Sequence, residues 1–159
     1  MRKMIVFQRS RGFTLVELVV TIVIIGILAV AVVPRFAGKH GFEERGFRDR
    51  IIAALRYAQK SAIAARRTVC ATIQTTPPEV SFRISSLNGA ASCTTGSELV
   101  GAAGEPLRVS ATGGANFLSA PGSIVFDAAG RPDAGADIRI SDLPPALAIT
   151  VEAETGYVH

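Results

Sequence analysis

The sequence is poor in cysteine and histidine, the residue types from which many catalytic and metal sites are built. It has two of each in 159 residues. Cys70 and Cys93 form no Cys-x-x-Cys pair and have no histidine near them in sequence, which argues against a zinc site or a thioredoxin-like motif. His40 and His159 stand in no Ser-His-Asp or metal-ligand spacing, and we expect both to be solvated surface residues. We therefore expect neither an enzyme nor a bound cofactor.

Two further kinds of site lack their sequence signatures. The Gly-rich stretches at 101–104 and 113–114 are not followed by Gly-Lys-Ser/Thr, so we interpret them as loops rather than phosphate-binding turns. A group of aspartates in the C-terminal third lacks the spacing of a calcium-binding EF-hand loop. They are either turn carboxylates or oxygen ligands for calcium, and we favour the first. These residues are Asp127, Asp133, Asp137 and Asp142.

No acidic residue occurs in the first 12 positions, which carry Arg2, Lys3, Arg9 and Arg11. These four residues account for the whole net charge of +4, because 13 Lys and Arg and 13 Asp and Glu remain without them. The basic pI therefore describes mainly the N-terminal stretch and is weak evidence for a nucleic-acid partner.

Residues 13–33 form an apolar run of 21 residues that contains one charged residue, Glu17. As an α-helix this run would be about 31 Å long, enough to cross the hydrocarbon core of a bilayer. Its many Val and Ile residues would also suit a buried strand. However, the run is too long for an ordinary strand, and a backbone in lipid must satisfy its own hydrogen bonds. We predict a transmembrane helix over residues 13–34, preceded by a leader over residues 1–12.

A secretory signal peptide would share the basic start and the apolar run. Against that alternative, the run is longer than the usual signal-peptide core, no small-x-small cleavage site follows it, and an acid stands near its start. A carboxylate within an apolar membrane segment costs about 3 kcal/mol and indicates a functional site. Glu17 either lies near the lipid headgroups or pairs with a cation. Cleavage before Phe13 would release such a cation, an α-amino group that could meet Glu17 of a neighbouring subunit.

Residues 11–18, Arg-Gly-Phe-Thr-Leu-Val-Glu-Leu, resemble the prepilin cleavage and methylation motif shared by type IV pilins and type II secretion pseudopilins. The resemblance implies that a membrane-bound prepilin peptidase cuts after Gly12 and methylates the new N-terminal Phe13. It also implies that Glu17, the fifth residue of the mature chain, guides assembly. The implied partners are other pilins or pseudopilins, the inner-membrane assembly platform and membrane lipids.

Gly26 and Pro34 lie within and at the end of the predicted helix. Glycine loosens a helix, and proline removes a backbone donor and crowds the preceding turn. Similarity to the family implies that the helix partly unwinds between such positions in a filament. Alternatively, Gly26 allows close helix packing and Pro34 marks a boundary.

The distribution of Lys and Arg places the leader in the cytoplasm, so the chain beyond the helix is expected in the periplasm. In that compartment a disulfide between Cys70 and Cys93 is the favoured state of the two cysteines. Two buried free thiols are the alternative.

Residues 35–67 contain an amphipathic helix, in which Phe47, Ile51, Leu55, Ala58 and Ala62 share one face. Short β-prone runs separated by Gly, Pro, Ser and Asn follow in residues 68–159. We predict an α+β fold in which the long N-terminal helix packs on a C-terminal antiparallel sheet, with a hairpin turn at Pro77-Pro78. The predicted strands are Thr68–Thr75, Val80–Ser85, Leu107–Val109, Ser123–Phe126, Asp137–Ser141 and Ala148–Glu152; residues 86–104 and 113–122 are predicted loops.

Three stretches indicate which group within this family the chain resembles: residues 55–73, Ile124–Pro132 (IVFDAAGRP) and 149–158 (ITVEAETGYV). They are similar to the H-type pseudopilin and FimT-like minor pilin group, abbreviated GspH/FimT. In that group an arginine-rich helix end runs into the first strand, a strand ends in Phe-x-x-x-Gly-Arg, and the last strand ends in Thr-Gly-x-Val. The closest likeness is to the minor pilin C type of mannose-sensitive haemagglutinin (MSHA) pili. Residues 86–122 carry no part of the resemblance.

Charge is unevenly divided in the chain after the apolar run. Residues 35–67 carry nine Lys and Arg and three acids, whereas residues 68–159 carry four Lys and Arg and nine acids. By resemblance to some FimT-like minor pilins, this polarity could bind DNA through Arg56, Lys60, Arg66 and Arg67. The same side chains could instead contact anionic lipid headgroups or acidic neighbours in a filament. Nucleic acid is the less favoured partner, because these residues are expected close to the membrane.

Taken together, these patterns favour a minor pilin or pseudopilin that is trimmed after Gly12 and assembled into a type IV pilus or a type II secretion pseudopilus. Its expected role is mechanical: initiation, tip formation or stabilisation of the filament. The alternatives are a FimT-like DNA-binding minor pilin for DNA uptake and, from another class, a membrane-tethered hydrolase.

Overall fold

The computed structural model describes residues 13–36 and 40–159, with side chains for residues 13–28 and 41–159. The predicted leader, residues 1–12, lies outside the described residues. The chain divides into two compact units, one ending at Gly38 and the other beginning at Lys39. Among the described residues, no helix is both long enough and apolar enough to cross a membrane.

The first unit contributes one helix, α1, over Leu15–Phe36. It starts and ends two residues later than the predicted segment 13–34. Its start is fixed by Thr14, whose backbone carbonyl accepts the N–H of Leu18 and whose Oγ1 accepts the N–H of Glu17. Thr14 is therefore the N-cap, and Phe13 lies outside the helix.

The second unit contains helix α2, His40–Ala65, followed by eight strands and one short 3₁₀ helix among its described residues. The strands are β1 Val69–Thr75, β2 Pro78–Ser85, β3 Gly96–Glu98, β4 Arg108–Ser110, β5 Phe117–Ser119, β6 Ser123–Phe126, β7 Ala136–Ile140 and β8 Ile149–Val151. The 3₁₀ helix spans Pro145–Leu147, between β7 and β8.

The strands form two antiparallel sheets rather than the single sheet that the sequence predicts. In the first sheet β1 lies between β2 and β6, and β3 and β4 pair with opposite ends of β2. The turn between β1 and β2 holds two residues, Thr76 and Pro77, because Thr75 pairs with Pro78, so the predicted hairpin is confirmed. In the second sheet β7 lies between β5 and β8.

Helix α2 packs its apolar face on the first sheet, where it contacts β1, β2, β4 and β6. The five residues predicted to share this face are Phe47, Ile51, Leu55, Ala58 and Ala62, and all are completely buried. Strands of both sheets contribute to the same core, through side chains such as Ile124, Ile138 and Ile149. The predicted α+β fold is confirmed, with α2 as the helix that covers the core.

Arg108 on β4 joins the short strands electrostatically. Its guanidinium pairs with Glu79 on β2 at 3.4 Å and with Glu98 on β3. The hydrogen bond and the charge of Glu98 raise the pKa of Arg108 above its ordinary value. All three side chains are partly exposed, so this network adds little to stability and mainly fixes the register of β3 and β4 on β2.

Candidate functional site

The start of α1 combines two of the predicted site residues. Glu17 lies in the first turn of the helix, and its N–H donates to Thr14 Oγ1 at 3.2 Å. A Thr followed three residues later by Glu is the pattern of a capping box, and a carboxylate at this end interacts favourably with the helix dipole. Phe13 precedes the cap and is 74% exposed. The predicted cleavage residue Gly12 lies outside the described residues.

The apolar side chains of α1 are exposed on every side of the helix. From Phe13 to Leu28, the large apolar residues are between 49% and 79% exposed. A helix that is apolar all round is stable only where lipid or other protein covers it. We therefore expect lipid or other protein to cover this segment.

Gly26 and Pro34 do not interrupt α1, which runs through both positions to Phe36. A Cβ added at Gly26 would meet nothing within 4 Å, so in the isolated chain no neighbour requires glycine there. Pro34 lies two residues before the end of the helix, and its side chain is outside the described set. Unwinding between these positions in a filament stays a prediction.

The exposed side of α2 carries a row of cations that we call the basic stripe: Arg45, Arg48, Arg56 and Lys60. The spacings of three, eight and four residues place them on one side of the helix. Arg56 and Lys60 were predicted from the sequence, whereas Arg45 and Arg48 were not singled out. Their helical spacing from Arg56 is the signal that would have identified them.

Two arginines of the stripe are held by backbone carbonyls from distant parts of the chain. Arg48 Nε donates to the carbonyl oxygen of Leu147 at 2.7 Å, and Arg56 Nε donates to that of Val158 at 2.9 Å. The Arg56 guanidinium also lies over the ring of Tyr157, 5.8 Å from its centroid. These arginines are therefore oriented, unlike a freely rotating surface cation.

The other two predicted basic residues lie at the C-terminal end of α2. Arg66 adopts a left-handed conformation with φ of 51°, and its N–H donates to the carbonyl of Ile63. The N–H of Arg67 donates to the carbonyl of Ala62. This pair of bonds is a Schellman motif with Arg66 at the position where glycine is preferred. The structure thus separates Arg66 and Arg67, at the helix end, from the stripe.

Gln59 is a residue that the sequence reasoning missed. Its Nε2 donates to the carbonyl of Gly130 at 3.0 Å and to that of Thr155 at 2.8 Å. Both carbonyls belong to the motifs Phe-x-x-x-Gly-Arg and Thr-Gly-x-Val. Gly156, at φ of +67°, approaches so closely that an added Cβ would lie 2.3 Å from the Gly130 oxygen. At Gly130, which has φ of +79°, an added Cβ would instead lie 2.6 Å from the side chain of Ile63. The two motifs therefore meet on α2, and neither glycine has room for a side chain.

Cys70 on β1 and Cys93 form a disulfide that ties the segment between β2 and β3 to the first sheet. Two other contacts hold the same segment. Thr68 Oγ1 donates to the carbonyl of Ala90, and Arg83 donates to the carbonyls of Cys93 and Gly96. This arrangement explains why Cys70 is buried although its neighbours Val69 and Ala71 point to the opposite face of the strand.

Three of the clustered aspartates are used by the chain itself. Asp127 accepts the N–H groups of Ala129 and Arg131, and Asp133 accepts the N–H of Val125 on the edge strand β6. Asp137 accepts the hydroxyl of Thr150 across the second sheet. The roles seen are those of turn and strand carboxylates.

The two histidines differ in what is described. His159 is about half exposed, its Nε2 lies 3.1 Å from Glu152 Oε1, and its ring stacks on Tyr157. Its backbone pairs with Thr150 beside β8. The side chain of His40 lies outside the described residues.

Comparisons with known proteins gave two kinds of match: one to the N-terminal segment that contains Phe13 and Glu17, and one to the fold. Residues 7–33 match the family described as "Prokaryotic N-terminal methylation motif". The type II secretion system core protein G of Klebsiella pneumoniae is 46% identical over 48 residues, which are 30% of this chain and 32% of that protein. The match thus spans about a third of the length of this relative.

Two solved structures share the fold at low sequence identity. The minor pseudopilin EpsH from the type 2 secretion system of Vibrio cholerae has a TM-score of 0.55 and 11% identity over 74% of this chain and 94% of that one. The type IV minor pilin FimU of Pseudomonas aeruginosa has a TM-score of 0.51 and 15% identity over 76% and 90%. At these identities the likeness shows the fold.

Proposed function

We propose that this type IV pilin-like chain is a minor pilin or pseudopilin subunit that is processed between Gly12 and Phe13 and assembled into a filament. One observation carries the proposal. Helix α1 is exposed and apolar on all sides and is joined to an α+β unit with the fold of minor pilins and pseudopilins. Its single carboxylate, Glu17, is the fifth residue counted from Phe13 of the Gly-Phe junction. Helix α1 must be covered by lipid or other protein, and the α+β unit forms the soluble domain of the subunit.

In this proposal helix α1 lies first in the inner membrane and then in the filament. Residues 13–33 contain one charge, and four basic residues precede them, which favours a cytoplasmic leader and a periplasmic α+β unit. After cleavage, the amine of Phe13 on one subunit would neutralise Glu17 on the next. Neutralisation removes most of the penalty for a carboxylate in an apolar environment.

The role is mechanical rather than catalytic: initiation, tip formation or stabilisation of a type IV pilus or a type II secretion pseudopilus. The partners are other pilins or pseudopilins, with prepilin peptidase acting on the precursor and the assembly platform receiving the product. The likeness to minor pilin C of MSHA pili stays a prediction within this proposal.

The proposal is tested by following the chain from precursor to filament in cells that carry the complete assembly system. Gly12→Ala should leave only precursor-length protein and no subunit in sheared filaments. Gly41→Ala is the control, because an added Cβ there meets nothing within 4 Å. Mature-length protein from Gly12→Ala, or absence of the wild-type chain from filaments, would refute the proposal.

A further inference from the structure

A cleft of about 410 Å³ lies along α2, between the helix and the C-terminal segment. It is lined by Arg48, Asp49, Ile52, Ala53, Arg56 and His159. The cleft is open to solvent, and of its lining residues only Arg56 was given a role from the sequence, as a candidate contact for DNA, lipid headgroups or acidic neighbours. Its two arginines are the residues of the basic stripe that distant backbone carbonyls hold.

The arginines are oriented before any ligand arrives. A guanidinium is planar, so the hydrogen bond from Nε fixes the plane and directs the terminal nitrogens. For Arg56 the Nε bond to Val158 and the Tyr157 ring fix the plane together. For Arg48 the Nε bond to Leu147 has this role, while one terminal nitrogen pairs with Asp49 at 3.0 Å. Less conformational entropy is lost when such groups bind a carboxylate.

The spacing of the two arginines indicates how far apart the two carboxylates of a ligand should be. Eight residues of helix separate Arg48 from Arg56, which corresponds to about 12 Å along α2. In an extended segment, side chains four residues apart point to the same side and lie about 13 Å apart. The apolar side chains of Ile52 and Ala53 lie between the arginines and suit the uncharged residues between two such carboxylates.

The acids around the cleft disfavour a polyanion. Asp49 lines the cleft, and Glu152 pairs with His159 at its edge. A nucleic acid presents closely spaced phosphates and would be repelled by these carboxylates. A segment with only two carboxylates, about 13 Å apart, brings less negative charge close to these acids. Acidic protein is at hand, because residues 68–159 of this chain carry nine acids against four Lys and Arg.

We propose that this cleft binds an extended acidic segment of a neighbouring subunit, with carboxylates four residues apart on Arg48 and Arg56. The identity of the partner as a subunit rests on the proposed function. The recognition chemistry, two oriented guanidiniums binding two spaced carboxylates, rests on the cleft alone.

The first test uses the purified full-length chain in a non-ionic detergent and two labelled peptides of about nine residues. One peptide carries glutamates four residues apart, and the other carries glutamines at the same places. Fluorescence anisotropy should show saturable binding of the glutamate peptide and at least tenfold weaker binding of its glutamine counterpart, since about 1.4 kcal/mol corresponds to a factor of ten. Equal binding of the two peptides, or no binding of either, would overturn the proposal.

The second test locates the binding. Arg56→Gln should weaken the glutamate peptide about tenfold, because a hydrogen-bonded charge is lost. Lys60→Gln removes the same charge one turn further along α2, outside the cleft lining, and should change binding less than twofold. Arg56→Glu should restore binding to a peptide with lysine in place of one glutamate. If Lys60→Gln and Arg56→Gln have the same effect, binding is non-specific and the assignment is wrong.

A single-stranded oligonucleotide of equal charge provides the last comparison. Tighter binding of the oligonucleotide than of the glutamate peptide would contradict the proposal and favour nucleic acid. The peptide pair on the unmodified chain decides the matter even if a variant fails to fold. If peptide binding fails while filament incorporation succeeds, only this inference falls. If peptide binding succeeds while incorporation fails, the proposed function falls.

Discussion

Arg56 Nε donates a hydrogen bond to the carbonyl oxygen of Val158 at 2.9 Å and so joins the middle of α2 to the end of the chain. Gln59, one turn further on, holds Thr155 of the same segment. A residue predicted as a surface contact for DNA or headgroups thus has a structural bond as well. The solvent-facing side of α2 organises the segment after β8.

Replacing Arg56 should therefore reduce stability, whereas replacing its neighbour in the basic stripe should not. Arg56→Ala is expected to lower the free energy of unfolding by about 1 kcal/mol, because a hydrogen bond from a charged donor is lost at a partly exposed site. Lys60→Ala should change it by less than about 0.5 kcal/mol. Urea unfolding of residues 39–159, which contain the whole described core, measures both. Equal losses would show that the Val158 bond contributes nothing.

Gly156 is expected to be intolerant of any side chain. Gly156→Ala would place a Cβ 2.3 Å from the Gly130 oxygen at φ of +67°, so it should cost about 3 kcal/mol. Gly89→Ala is the matched control, since Gly89 has φ of +71° and free space around it. It should cost only the 1 kcal/mol or so of the left-handed backbone. Urea unfolding of the same fragment gives both values, and equal values would mean that the Gly130 contact relaxes freely.

Replacing Arg66 by glycine is expected to increase the stability of the protein, unlike the changes at Arg56 and Gly156. A non-glycine residue with φ of 51° occupies the position of the Schellman motif that favours glycine. Arg66→Gly should therefore raise the free energy of unfolding by about 1 kcal/mol. Arg67→Gly, one residue on, has no left-handed backbone to relieve and should be neutral or destabilising. A loss of stability in Arg66→Gly would show that the arginine side chain stabilises this helix end.

Long periodic segments were predictable from the sequence. The buried face of α2 follows a helical repeat from Phe47 to Ala62, and each residue of the repeat is buried as predicted. Strands β1 and β2 are long enough to show their β-prone composition and flank a proline turn. By contrast, β3 is Gly-Ser-Glu and has no apolar residue to signal a strand. β5 is a three-residue strand within a Gly-rich loop.

The candidate site was predictable only in part, for a different reason. The pattern around Phe13 and Glu17 is local and can be seen directly in the sequence. The roles of Arg48, Arg56 and Gln59 depend on carbonyls about 70 to 100 residues away. No spacing rule reaches across that distance. The glycines of the two C-terminal motifs were visible in the sequence, but the reasons for them required the fold: Gly156 packs against the Gly130 carbonyl, and Gly130 packs against Ile63 of α2.

Glu17 allows charge and helix capping to be separated. Glu17→Gln keeps a residue suited to the third position of a capping box and leaves the N–H that Thr14 accepts, but it removes the carboxylate charge. We expect normal processing and at least tenfold less subunit in sheared filaments, measured by quantitative immunoblotting. Thr21→Val, a change of similar size one turn along α1, serves as the control. Normal incorporation of Glu17→Gln would show that the charge is not needed for assembly.

The intact mass of the protein extracted from the membranes of cells with the complete assembly system tests the central claim most directly. The account predicts a chain that starts at Phe13, carries one added methyl group and lacks two hydrogens because Cys70 and Cys93 are joined. A full-length precursor, or a chain cut beyond the apolar run so that Glu17 is lost, would contradict it.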